Sequence, residues 1–171
     1  MRDTSPSQRR PHALPLSVAT LLALLLLPLP RVAAQVNPDQ AADMLLDSAR
    51  RAYNEKNYPF AVDRFREFLG KFPNHKEAPS AHYGLALALL EGPARDYNAA
   101  LEQLQPLLGN KDLPEHPFVL YHFALAKRGQ GVREMGEAAA KPQEAAQHRT
   151  NANQRFTEAL QQFAEIGRAH V

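Results

Sequence analysis

Between residues 40 and 165 apolar positions recur at steps of three and four, and no run alternates with period two. Such steps gather side chains on one face of a helix, so the spacing predicts amphipathic helices and no strands. Set against itself, the chain repeats one motif three times: an aromatic residue, Ala three positions on, a large apolar residue four further, then more apolar residues. The copies are Tyr58, Ala61, Phe65, Phe68 and Leu69; Tyr97, Ala100, Leu104, Leu107 and Leu108; and Phe156, Ala159 and Phe163. A small residue recurring at one place, here Ala61, Ala100 and Ala159, lets a neighbouring helix approach closely.

Each of these helices has a partner upstream with the same kind of spacing. The first partner holds Ala41, Leu45, Leu46, Ala49, Ala52 and Tyr53, the second Tyr83, Leu85, Ala86, Leu89 and Leu90, and the third Phe118, Leu120, Tyr121, Ala124 and Leu125. Pro59, Pro79 and Pro117 fall where a first-turn proline loses no hydrogen bond, and Pro73, Gly92-Pro93 and Pro114 follow the ends of apolar stripes. Three helical hairpins are therefore expected, over about 38–74, 75–114 and 115–165. The third carries an Ala-, Gln- and Glu-rich insert at 132–154, whose Glu134 to Lys141 half favours helix until Pro142 ends or kinks it. The expected result is a lengthened hairpin that protrudes from the stack. Gly129-Gln130-Gly131 is expected to end a helix as a cap or turn.

Tyr53, Tyr58, Ala61, Phe65, Leu69 and Pro73, in the order Ala-Tyr-x4-Tyr-x2-Ala-x3-Phe-x2-Phe-Leu-x3-Pro, resemble a tetratricopeptide repeat. The stretch from Arg64 to Pro73 is similar to exported bacterial members associated with the cell envelope. The second unit has a longer turn at Glu91 to Asp96, the third matches in part, and the resemblance spans roughly residues 40–165. It implies an all-α, helical-hairpin α-solenoid in which stacked pairs share their apolar stripes and curve into a right-handed superhelix. It also implies that the first helix of each pair lines the concave face. Candidate groove residues are then Leu46, Arg50, Tyr53 and Asn54, with Tyr83 and Leu87, and with Tyr121, Leu125 and Arg128. Tyr and Arg are common energetic anchors at interfaces, although aromatic residues at helical spacing also serve as core. The family's carboxylate clamp of Lys and Asn is absent in its usual form, since Leu46 and Arg50 stand at the inward positions.

The chain's two ends follow a different pattern. Residues 1–12 are polar and carry three Arg, and Leu14 to Leu29 is almost wholly apolar before Val32-Ala33-Ala34. That order predicts a cleaved signal peptide over 1–34, cut between Ala34 and Gln35, and hence export to the periplasm or the extracellular space. The apolar run is short for a membrane span and broken by Pro28 and Pro30. At the other end, residues 166–171 match a reading frame of a common sequencing-library adapter and are expected to be a non-native tail, with the natural chain continuing.

Composition narrows the function classes. The 20 Lys and Arg face 18 Asp and Glu, but four Arg and a single acid lie within the first 34 residues, leaving a net charge of −1 beyond them. Nucleic-acid binding needs clustered, uncompensated cations and is not expected. The absence of Cys excludes disulfides and thiolate chemistry. His12, His75, His82, His116, His122, His148 and His170 show no metal-ligand spacing, and no nucleophile or phosphate-loop motif occurs. The expectation is an exported scaffold without catalysis, cofactor or metal, which holds a protein or peptide partner on residues 35–165. The alternatives are the binding region of a larger envelope enzyme, or a self-assembling structural module.

Overall fold

A computed structural model of the chain describes residues 37–169, and those residues are all-helical with no strand. The predicted signal peptide and its cleavage point at Ala34 and Gln35 lie outside the described residues, as do His170 and Val171 of the expected foreign tail. The six helices are α1 (Pro38–Asn54), α2 (Tyr58–Lys71), α3 (Ala78–Glu91), α4 (Tyr97–Leu104), α5 (His116–Ala140) and α6 (Ala145–Ala169). A 3-10 turn, Gln105–Leu107, extends α4, and another, Pro142–Glu144, joins α5 to α6.

Local chemistry accounts for most of the boundaries. Asn37, Asn57 and Asp96 cap α1, α2 and α4 by accepting hydrogen bonds from the backbone N–H groups of Asp39, Phe60 and Ala99. Prolines in the first turns of α1, α2, α3 and α5 stand where the helix has no acceptor for an N–H.

Each helix packs on the next in sequence, and α1 also touches α3, as α3 touches α5. One core runs through the first five helices, with Leu46, Phe65, Phe68, Leu85, Leu104, Val119 and Phe123 at its centre. The repeated alanines Ala61, Ala100 and Ala159 are all buried.

The third hairpin is lengthened as expected and departs from the expectation in one respect. The first half of residues 132–154 prolongs α5 and the second half belongs to α6, so both helices run for 25 residues. Pro142 ends α5 at the turn, as its chemistry requires. Gly129-Gln130-Gly131 is neither cap nor turn but lies inside α5, and no described glycine has a positive φ. The physical reason is packing: a Cβ on Gly129 would collide with the Tyr97 ring, and one on Gly131 would lie 2.6 Å from the Phe156 ring. Both glycines are holes for aromatic knobs.

Small residues also set the seam between α5 and α6. Ala124, Gly131 and Ala138 follow one another at intervals of seven on α5, and Ala145, Ala152 and Ala159 do so on α6; all six are buried. A heptad interval keeps a seam facing its partner along two long helices, and small side chains let the backbones come close. Lys127 of α5 pairs with Glu158 of α6 at 2.7 Å, and the His148 Nδ1–H donates to Glu134 at 2.7 Å, which ties the two helices at separate heights.

Candidate functional site

The contacts of α1 with α3, and of α3 with α5, place the three first helices of the hairpins side by side. Along this face, chemistry gathers around one carboxylate. Glu91, the last residue of α3, accepts hydrogen bonds from the Tyr53 hydroxyl at 2.6 Å and from the Tyr58 hydroxyl at 3.0 Å. The two phenol rings meet edge to face at 5.7 Å. Each carboxylate oxygen thus takes one phenol proton, which joins α1, α2 and α3 at one end of the face.

Further along, the Tyr83 ring of α3 packs edge-on to His122 of α5 at 5.7 Å. The His122 Nδ1 lies 2.7 Å from the Phe118 carbonyl, which can only accept, so that nitrogen carries the proton. The Tyr83 hydroxyl oxygen, 3.1 Å away, accepts from the same N–H.

Between these two groups opens a cleft of about 600 Å³, whose walls come from the ends of α2, α3 and α4, the α3–α4 turn and the middle of α5. Leu90, Leu125 and Val132 supply its aliphatic lining, a shallow floor in which Val132 is itself 56% exposed, and Arg95 and Arg128 line it as well. Arg95 has a left-handed backbone, with φ of 44°, a conformation that disfavours side chains other than Gly, Asn or Asp. Arg133 stabilises that turn from α5 by donating to the Arg95 carbonyl at 3.1 Å while its guanidinium lies 5.1 Å over the Tyr97 ring.

The sequence-predicted groove residues divide between this face and the core. Leu46 is 1% exposed and packs in the centre of the core, so it presents nothing to a ligand. Arg50 is exposed but engaged with Glu77 at 2.9 Å. Tyr53 and Tyr83 are half-buried in the polar contacts above, and Asn54 is exposed at the end of α1. Leu87 is half-buried on α3, and Leu125 and Arg128 line the cleft. Tyr121 lies apart, 44% exposed, with its ring 6.0 Å from Phe163 of α6. Sequence spacing missed Glu91, Arg95 and His122. Glu91 ends α3 just past its last apolar position, Arg95 belongs to the turn that follows and has no periodic signal, and His122 occupies a helix position that spacing alone marks as surface. Among the described residues no three His, Asp or Glu side chains gather closely enough to share a metal ion.

The chain matches no protein family, no curated protein and no solved structure. Its function is therefore argued from geometry.

The tyrosines give that geometry a titration signature. Burial first, then the bond to Glu91, raises the Tyr53 phenol pKa above its ordinary value; for Tyr58 the bond to Glu91 comes first. Burial, with the charges of Glu115 and Glu91 behind it, pushes the Tyr83 pKa up to about 12. A raised phenol pKa favours the folded chain fully below the unfolded value of about 10, and this advantage is lost as pH climbs through the folded value. Denaturant unfolding across pH should therefore show stability falling from about pH 10 upward. In the folded chain, ultraviolet phenolate absorbance should rise late, and Glu91→Gln should advance the part due to Tyr53 and Tyr58. Phenols that all ionise together at their ordinary pKa in the folded protein would contradict these contacts.

Proposed function

We infer that this chain is a tetratricopeptide-like array that docks a protein or peptide on the face formed by α1, α3 and α5, outside the cytoplasm. The observation that carries the reading is the alternation of contacts: α1 reaches α3 and α3 reaches α5 past the helices between them. Side chains from three hairpins are thereby brought onto one continuous surface. In a stack of hairpins that share their apolar stripes, such a surface is preformed, so a partner binds without first ordering it. The repeated aromatic-alanine motif and the proline punctuation support the family assignment, and the charged-then-apolar order of residues 1–34 supports export. The proposed role is binding and presentation, with no catalytic residue assigned.

Amide hydrogen exchange tests this reading. Peptides selected for binding from a random display library should protect amides of α1, α3 and α5. Protection confined to the outer sides of α2, α4 and α6, or no selectable peptide at all, would refute it.

A further inference from the structure

We propose that the cleft between the end of α3 and the middle of α5 takes an acidic peptide segment, with an apolar side chain seated among Leu90, Leu125 and Val132 and flanking carboxylates held by Arg95 and Arg128. The proposal rests on the docking face argued above and adds the chemistry of its partner.

Glu91 is the carboxylate that lines the cleft, and both its oxygens already accept hydrogen bonds from the Tyr53 and Tyr58 phenols. Those bonds leave its charge in place, so one carboxylate stands against the two guanidinium groups of Arg95 and Arg128 in the lining. Among the described residues, Arg95, Arg128 and Arg133 have no carboxylate within 4.0 Å, whereas Arg50, Arg64, Lys71, Lys127, Lys141 and Arg155 each have one. Two guanidinium groups without a carboxylate partner, those of Arg95 and Arg128, thus line one cleft, and that of Arg133 lies beside it over the Tyr97 ring. Arginine is suited to the role, because its planar fork holds a carboxylate through two parallel hydrogen bonds. The turn that places Arg95 is itself unfavourable for a residue that carries a Cβ, yet Arg133 props it from 38 residues away.

The floor separates a peptide from other anions. Leu90, Leu125 and Val132 offer no hydrogen bonds to a sugar-phosphate chain, and of the aromatic rings in the lining Tyr97 is covered on one face by Arg133, Tyr58 meets Tyr53 edge to face and His122 meets Tyr83 edge-on. An aliphatic or aromatic side chain between two carboxylates satisfies both floor and rim.

The test uses the full chain and a random display library of short peptides. Selected binders should be enriched in Asp and Glu beside Leu, Ile or Phe. The affinity of a selected peptide, read by fluorescence anisotropy, should fall several-fold between low and physiological salt, as exposed charge pairs require. It should fall about tenfold or more in Arg128→Glu, the size of effect expected when attraction at a partly desolvated pair becomes repulsion. Arg128→Lys should retain most of the binding, and the circular dichroism of both variants should match the parent. Should Arg128→Glu disturb folding, Arg95→Gln with Arg128→Gln provides the same readout without charge reversal. Binders rich in Lys, or neutral binders indifferent to Arg128, would overturn the acidic assignment and leave the docking face standing. Failure to select any peptide would overturn both, and tighter binding of a single-stranded oligonucleotide than of any selected peptide would overturn the peptide assignment.

Discussion

Phe68→Ala is expected to lower stability by about 3–5 kcal/mol, the largest single loss in the chain. Phe68 is wholly buried, tilted against Phe72 at 5.7 Å and edge-on to His75 at 5.6 Å. It sits on α2, which packs against α1 on one side and α3 on the other, so neither neighbour can collapse into the vacated space without leaving its other contacts. At about 4 °C per kcal/mol for a unit of this size, the thermal midpoint should drop on the order of 12–20 °C. Leu160→Ala is the matched contrast. Leu160 occupies the place in its repeat that Leu101 holds in the preceding one, yet it is 68% exposed where Leu101 is 9% exposed. Leu101 belongs to the common core, where α4 packs between α3 and α5, and nothing described covers Leu160. Leu160→Ala should change stability by no more than about 0.5 kcal/mol, whereas Leu101→Ala should cost about 2 kcal/mol or more. Thermal denaturation followed by circular dichroism distinguishes these outcomes. A large loss at Leu160, or none at Phe68, would mean that the helices pack in another arrangement.

The second large effect is a reversal of sign between two glycines. In an open helix interior Gly→Ala gains about 1 kcal/mol, because Ala gives up less backbone freedom on folding. Gly136 meets that condition: it lies within α5 and an added Cβ would touch nothing within 4 Å. Gly136→Ala should therefore stabilise the chain by roughly that amount. At Gly84, on α3, the added Cβ would lie 2.5 Å from the tip of the Phe65 ring and 2.7 Å from its edge. A ring at the surface could swing aside, but Phe65 is only 2% exposed and has nowhere to go. Overpacking of this kind costs about 1–3 kcal/mol, which outweighs the propensity gain. Gly84→Ala should thus destabilise, and pairing it with Phe65→Leu should recover part of the loss. Urea midpoints of the single and double variants provide the check, and a stabilised Gly84→Ala would show that Phe65 does not fill that hole.

The helices themselves were readable along the chain. Ala61, Ala100 and Ala159, the aromatic residues before them and the first-turn prolines mark elements whose period and punctuation are local properties of adjacent residues. The three-and-four spacing even located both long helices of the third hairpin. It does not carry across Gly129 and Gly131, because glycine ordinarily marks a helix end, whereas here each one admits an aromatic ring. The heptad of small residues through Ala124, Gly131 and Ala138, answered by Ala145, Ala152 and Ala159, was the available signal that α5 continues.

The candidate site was less readable, and for a different reason. Helical spacing places Leu46 and Arg50, four residues apart, on nearly the same side of α1, and which of them a neighbour covers is decided only when α2 and α3 are in place; Leu46 then proves to be core. Glu91 stands at the very end of α3, 38 residues from Tyr53 and 33 from Tyr58. Arg95 adopts a backbone conformation that its own residue type disfavours. Period and punctuation act over a few residues and survive in a one-dimensional string. The meeting of one carboxylate with two phenols, and of two guanidinium groups with an aliphatic lining, depends on how separate helices pack, and no local preference encodes that.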